Sequence, residues 1–274
     1  MELGIMLYIG CKKADVFEQI NILKEIGVRR TFINAKHPQL DRVLCALQEA
    51  GIVCDNLHSE YQGNLDGKSI GMDDFSREGP AGEYLLSRIM KNIDQCAQYH
   101  IPVIVVHPSN DEPEKAINDI ARQRYTALGN YAREKGVEIA FENVKFTKNL
   151  EFIMSLIPDA KFCWDCGHEY SRLVGDRPMP LFGKRLAALH IHDNFLTRDQ
   201  HLIPFTGKID FEVIAKQLAW SGYDGTLMLE IMYRDTEGLT TEPTYKEFAT
   251  KAKLAAEKVI RLVEHYRSIE SASS

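Results

Sequence analysis

No apolar run in this sequence approaches the ~18 residues that a membrane-spanning helix needs, so an integral membrane role is not expected. The opening stretch, MELGIMLYIG, lacks a basic leader region and is soon followed by Lys12 and Lys13, so no signal peptide is expected. Positive charge is not in excess either. Lys and Arg number 33 against 39 Asp and Glu, a formal net charge of −6. A general field for a polyanion is missing, which makes a nucleic-acid partner an unfavoured reading. Disulfide-like cysteine spacing is absent too. Cys11, Cys45, Cys54, Cys96, Cys163 and Cys166 are scattered through apolar runs, as expected of reduced core thiols in a cytoplasmic protein. Cys163 and Cys166 form a C-x-x-C, but along a strand the two would face opposite sides, so a thiol metal pair is not favoured.

What is present is a repeat of apolar run and amphipathic stretch. Of 274 residues, 45% are hydrophobic, ample for a full core. Strands are expected at 3–8, 30–34, 52–57, 102–106, 137–141, 160–164, 186–191 and 225–229. Helices are expected at 16–26, 40–50, 83–99, 114–135, 150–156, 211–221 and 245–266. Phe17, Ile20, Leu23 and Ile26 show the helical spacing, and Gly51 is a candidate C-cap. Residues 171–184 read as irregular, 270–274 as a frayed tail, and 61–82 as a lid or binding loop, because it is long and rich in Gly and Asp. The strands are mostly continuous apolar runs, as in parallel sheets covered by helices. No linker interrupts the series, and no Gly-rich phosphate turn follows an early strand, which counts against an open doubly wound sheet. The expectation is a single α/β domain over 1–274, a (β/α)8 TIM barrel.

His58, His107, Glu142, Asp165, His190 and Glu230 each fall at or just past the end of a strand. In a parallel barrel those ends share one rim, where active sites are built. Glu142 and Glu230 directly follow apolar runs, and a buried carboxylate needs a partner, a metal or a proton. The densest stretch is LHIHDNFLTRDQHLIPFTGKIDF, residues 189–211, with His190, His192, Asp193, Asp199 and His201. Imidazole and carboxylate clustered where a core strand ends suit a divalent ion. Of His190 and His192, one is expected to face the site, and Asp193 is expected to orient a ligand.

The motifs FEN at 141–143, WDCGH at 164–168, LHIHDN at 189–194, RDQHLIPFTGKIDF at 198–211 and LEI at 229–231 resemble the xylose-isomerase-like TIM barrel superfamily. That group holds sugar and sugar-phosphate isomerases and epimerases together with endonuclease IV-type enzymes, and the resemblance covers nearly the whole chain. In the isomerase branch it implies one divalent ion held by Glu142, Asp165, His190 and Glu230. His190 is selected over His192 by the His-x-x-Asp pattern with Asp193, and His168 is implied to contact substrate. In the endonuclease branch it implies two or three zinc ions and adds His58, His107, His168, Asp199 and His201 as ligands. The family's Pro-Gly-x-Gly is here Pro204-Phe205-Thr206-Gly207, and Phe205 is expected to narrow the pocket. Tyr61 sits near where the endonuclease branch inserts side chains into DNA, in a loop that is acidic here.

The preferred reading is a metal-dependent sugar or sugar-phosphate isomerase or epimerase. It would use Mn²⁺, Mg²⁺, Co²⁺ or Zn²⁺, with Glu142 and Glu230 moving a proton beside a carbonyl through an enediolate. Trp164 is expected to form an apolar wall, and Arg198 or Lys208 to meet a hydroxyl or phosphate. The alternatives are a zinc-cluster phosphoesterase and a non-catalytic binding barrel. A homo-oligomer built on the last helix or the 61–82 loop is compatible with the pattern.

Overall fold

Each apolar run is followed by an amphipathic stretch long enough to cross back over the sheet, so parallel pairing is the short connection. The computed structural model describes residues 1–109, 117–233 and 243–273. Its main sheet contains β1 (Leu3–Ile5), β2 (Arg30–Asn34), β3 (Val53–His58), β4 (Val103–Val106), β5 (Glu138–Glu142), β6 (Lys161–Asp165), β7 (Leu186–His190) and β8 (Leu227–Leu229). The order is β8-β1-β2-β3-β4-β5-β6-β7, every pair parallel. A parallel bridge between Ile191 and Leu229 joins the two ends; Ile191 N donates to Met228 O at 2.9 Å and Glu230 N to Ile191 O at 3.1 Å. The result is a (β/α)8 TIM barrel.

Helix boundaries follow local chemistry. Asp15 caps Val16–Glu25 by accepting from Phe17 N and Glu18 N, and Asp210 caps Phe211–Ser221 by accepting from Glu212 N. Leu40–Ala50 stops at Gly51, whose φ of 68° is left-handed and free of strain only for glycine. No described helix is long and apolar enough to cross a membrane.

Several local expectations are corrected. The 61–82 stretch contains an antiparallel hairpin (Gln62–Leu65 with Lys68–Gly71), a 3-10 turn (Met72–Ser76) and the start of the helix Pro80–Gln98. The helix expected from residue 114 begins at Asp119 behind the cap Asn118, with 114–116 outside the described residues. Within the irregular stretch lie the end of helix Cys166–Ser171 and the short helix Pro178–Phe182. The final helix runs Tyr245–Ser273, so the end of the chain up to 273 is helical and not frayed.

The strand period of two sorts the core into layers. Val103, Val105, Ala140, Cys163 and Ala188 form one buried cluster, while their neighbours Ile104, Val106, Phe141, Phe162, Trp164 and Leu189 pack with the helices in another. The first is the barrel interior. Continuing its alternation toward the C-terminal rim leads to His107, Glu142, Asp165 and His190. All six cysteines are free thiols, Cys163 among them in the barrel interior.

Candidate metal centre

The rim residues converge as the alternation requires. His58, His107, Glu142, Asp165, His168, His190, His192 and His201 are all buried, and Glu230 and Asp199 are partly so. They close the floor of a cavity of about 590 Å³ whose lining includes His58, His107, Glu142, His168, Asp199, His201 and Glu230.

Three groups of ligand atoms can be distinguished. In the first, His58 Nε2 lies 3.1 Å from His107 Nε2, and both lie 3.3 Å from Glu142 Oε2. In the second, His190 Nδ1 is 3.4 Å from Glu142 Oε2 and 3.3 Å from Glu230 Oε2. With Asp165 these residues bring four ligand atoms within 4.8 Å of one another, from four strand ends. In the third, Asp199 Oδ2 lies 3.2 Å from both His168 Nε2 and His201 Nε2. Glu142 links the groups, because its Oε1 is 3.1 Å from His168 Nδ1.

Backbone contacts orient the imidazoles. His58 Nδ1 meets Ser59 O at 3.0 Å, His168 Nδ1 meets Asn143 O at 3.1 Å and His201 Nδ1 meets Glu230 O at 2.9 Å. A ring nitrogen facing a carbonyl must donate, so the Nε2 lone pair of each ring is directed at the cluster. His201 adopts a left-handed φ of 52° to do this, a costly conformation for a non-glycine residue.

The electrostatics are unbalanced. Burial resists ionisation of Glu142, yet the His190 and His107 imidazoles overcome it and hold its carboxyl well below the usual range. Burial likewise opposes Asp165 and Asp199, and neighbouring histidines (His168 and His192, then His168 and His201) pull both below the usual range. Glu230 goes the other way, pushed up by burial and then by Glu142 and Asp165. Burial lowers His107 to about 4 and lowers His201 as well. Buried Glu142 Oε2, Asp165 Oδ2, Glu230 Oε2, Asp199 Oδ1, both ring nitrogens of His190 and Nδ1 of His107 lack a hydrogen-bond partner. Buried polar atoms are rarely left so. Buried donor atoms gathered without hydrogen-bond partners fit a cation, and the mixed oxygen and nitrogen set fits a divalent one.

His192 corrects one expectation. Residues two apart on a strand share a face, so His190 and His192 both turn inward. His192 Nε2 lies 3.2 Å from Asp165 Oδ1, and its ring stacks on His201 with centroids 4.1 Å apart. Gly167 makes room for it: a Cβ there would stand 1.8 Å from the His192 ring. Asp193 contacts no ligand. It accepts from the backbone N–H groups of Asn194, Gly207 and Ile209 and so fastens the following loop.

Other expected residues lie elsewhere. Trp164 points outward into the helix layer, fully buried, donating to Glu169 Oε2 at 2.8 Å, so it is no wall of the cavity. Arg198 and Lys208 are exposed and outside the lining. Phe205 does not narrow the pocket. It keeps the left-handed φ of 68° that a glycine would take there, packs on Phe211 at 4.8 Å and lies under Lys258. The lining instead recruits Asn34, Lys36, Tyr61, Gln62 and Arg172. Tyr61 stacks on His107 at 4.3 Å. Arg172 is legible only as a residue one helical turn after His168.

Comparison with known proteins agrees with the fold. Residues 21–258 match the family model of the xylose isomerase-like TIM barrel. The chain belongs to that family. Inosose dehydratase from Lacticaseibacillus casei is 28% identical to this family member over 174 residues, 54% of each chain. The chain thus spans about half the length of the curated relatives it matches. Among solved structures, 3-keto-D-glucoside 4-epimerase from E. coli superposes with a TM-score of 0.70 at 16% identity, covering 93% of this chain and 98% of that one. The IOLI protein with a bound zinc atom superposes with a TM-score of 0.68 at 17% identity, covering 97% and 99%. At such identities the structural likeness speaks to the fold alone.

Proposed function

We propose that this family member is a divalent-metal-dependent isomerase or epimerase of a sugar or sugar derivative, with Glu142, Asp165, His190 and Glu230 holding the ion. The observation that carries the reading is the meeting of these four ligand atoms within 4.8 Å, several of them buried without a hydrogen-bond partner. The sugar-epimerising and inosose-dehydrating relatives support the same class of substrate. Bound there, the ion supplies Lewis acidity toward a carbonyl-bearing substrate.

The chain's own groups do the rest. Glu230 has its proton affinity raised by burial and by Glu142 and Asp165, and it stands on the cavity wall. It can take and return a proton at Oε2, which has no hydrogen-bond partner. Glu142 is held ionised in the same cavity. Two carboxyls with proton affinities pushed apart are the usual arrangement for dividing acid and base work. Tyr61, stacked on His107, shields one side of the floor from water, and Lys36 and Arg172 offer donors for substrate oxygens.

The test is isotopic. A panel of ketoses incubated with enzyme in D2O should gain deuterium beside the carbonyl in one member, and Glu230→Gln should abolish the gain. Absence of exchange across the panel with metal-replete protein would overturn the reading. One observation favours a second reading, a zinc-cluster phosphoesterase: all nine expected ligands fall into the three groups described. Hydrolysis of a simple phosphodiester by protein carrying two or three zinc ions would support it.

A further inference from the structure

The outermost group, His168, Asp199 and His201, already has a cation against it. Arg172 follows His168 by one turn at the end of the helix Cys166–Ser171, so the two side chains project together. Its Nη2 lies 2.6 Å from His168 Nε2 and 3.9 Å from Asp199 Oδ2. A guanidinium only donates and does not lose its proton in proteins. Toward the guanidinium His168 Nε2 can only accept, with the ring proton on Nδ1, and Arg172 thereby competes for this nitrogen with Asp199 Oδ2, which stands 3.2 Å from it. A proton on Nδ1 agrees with its contacts to Asn143 O and Glu142 Oε1, both 3.1 Å. The lone pair that an ion in this group would need is engaged by Arg172.

The other two groups differ. Among the described residues no Lys or Arg nitrogen forms an ion pair with Glu142, Asp165 or Glu230, whose partners are histidines alone. A divalent ion at the third position would face a fixed positive charge at contact distance, and like charges so close repel strongly away from bulk water.

We infer that Arg172 is a built-in counter-cation that closes the third position, so that the cluster saturates below three ions per chain. This rests on reading the cluster as a metal centre. It separates this chain from a three-ion phosphoesterase while leaving the position shared by Glu142, Asp165, His190 and Glu230 open.

The test counts metal and needs no substrate. Chelator-stripped protein is titrated with zinc alone, desalted and measured for zinc per chain, with circular dichroism and thermal unfolding reporting the fold. Wild type should saturate at about two ions or fewer, and Arg172→Ala and the bulkier Arg172→Gln should each gain about one more. Adding His201→Ala to Arg172→Ala should remove that extra ion. Three ions in wild type, equal non-zero counts in wild type and both variants, or an extra ion that survives His201→Ala would each overturn this inference alone. Zinc retained by none of the proteins would overturn it together with the functional reading.

Discussion

The two ends of the barrel treat charge in opposite ways. At the N-terminal end Arg30 sits between Glu2 and Asp55, with Nε to Glu2 Oε2 at 2.7 Å and Nη1 to Asp55 Oδ1 at 2.8 Å. Glu2 is mostly exposed, so water shares that network. Each charge there has an opposite partner. At the C-terminal end Glu142, Asp165 and His190 are at most 1% exposed, and their lone pairs confront one another. The lower network sets a cation between its carboxylates and leaves one buried oxygen, Asp55 Oδ2, without a hydrogen bond, whereas the upper one gathers many such atoms with no Lys or Arg among them. The contrast separates charges kept for stability from charges kept for chemistry.

The largest expected effect follows from breaking the upper cluster. Glu142→Gln removes an oxygen shared by two ligand groups, and kcat/KM for whichever substrate exchanges deuterium should fall on the order of 10³-fold or more. An unchanged rate would remove Glu142 from the chemistry.

The next effect is on acid stability. Burial holds His107 at about 4 in the fold, against an ordinary imidazole value of about 6.5. Above pH 6.5 the ring is neutral in both states and contributes nothing. Below that the unfolded chain takes up the proton first, so stability falls as pH drops from 6.5 to 4, by about 3 kcal/mol if His107 acts alone. The depressed Glu142 carboxyl adds loss in the same direction at lower pH. Denaturant unfolding of metal-free protein at several pH values should show this slope, and His107→Asn should flatten it.

Gly167→Ala sharpens the comparison from the packing side. The added methyl collides with the His192 ring, and overpacking of this kind costs about 1–3 kcal/mol. Zinc affinity should fall with stability, as calorimetry would record. The smallest effect is expected at the lower end. Arg30→Ala removes partly exposed ion pairs, and such pairs contribute about 0–1 kcal/mol. Its unfolding midpoint should move little and its activity not at all.

The eight strands and most helices were legible because each apolar run is bounded by polar or turn residues. The six rim residues were legible because six of the eight strands end on an ionisable residue or one position before it. His192 was missed by assigning adjacent inward positions to opposite faces, although residues two apart share one. Trp164 was misplaced because it neighbours Asp165, and on a strand a neighbour faces away. The hairpin inside 61–82 has short, polar strands, so its pairing leaves no apolar signal. Phe205 shows that a left-handed backbone position can be occupied by a residue other than glycine, packed here on Phe211. Lys36 enters the site from a connection, where periodicity carries no information, and Arg172 from the cap of the helix Cys166–Ser171, where only its spacing from His168 marks it.

The most direct measurement is thermal unfolding of chelator-treated protein with divalent metal added back in steps. An ion bound only by the folded chain at 100 times its dissociation constant stabilises by about 2.7 kcal/mol. A rise of several degrees that saturates with metal, and that disappears in Asp165→Ala, is the expected result. A midpoint indifferent to zinc, manganese and magnesium would contradict the proposal that the four strand ends meet around a cation.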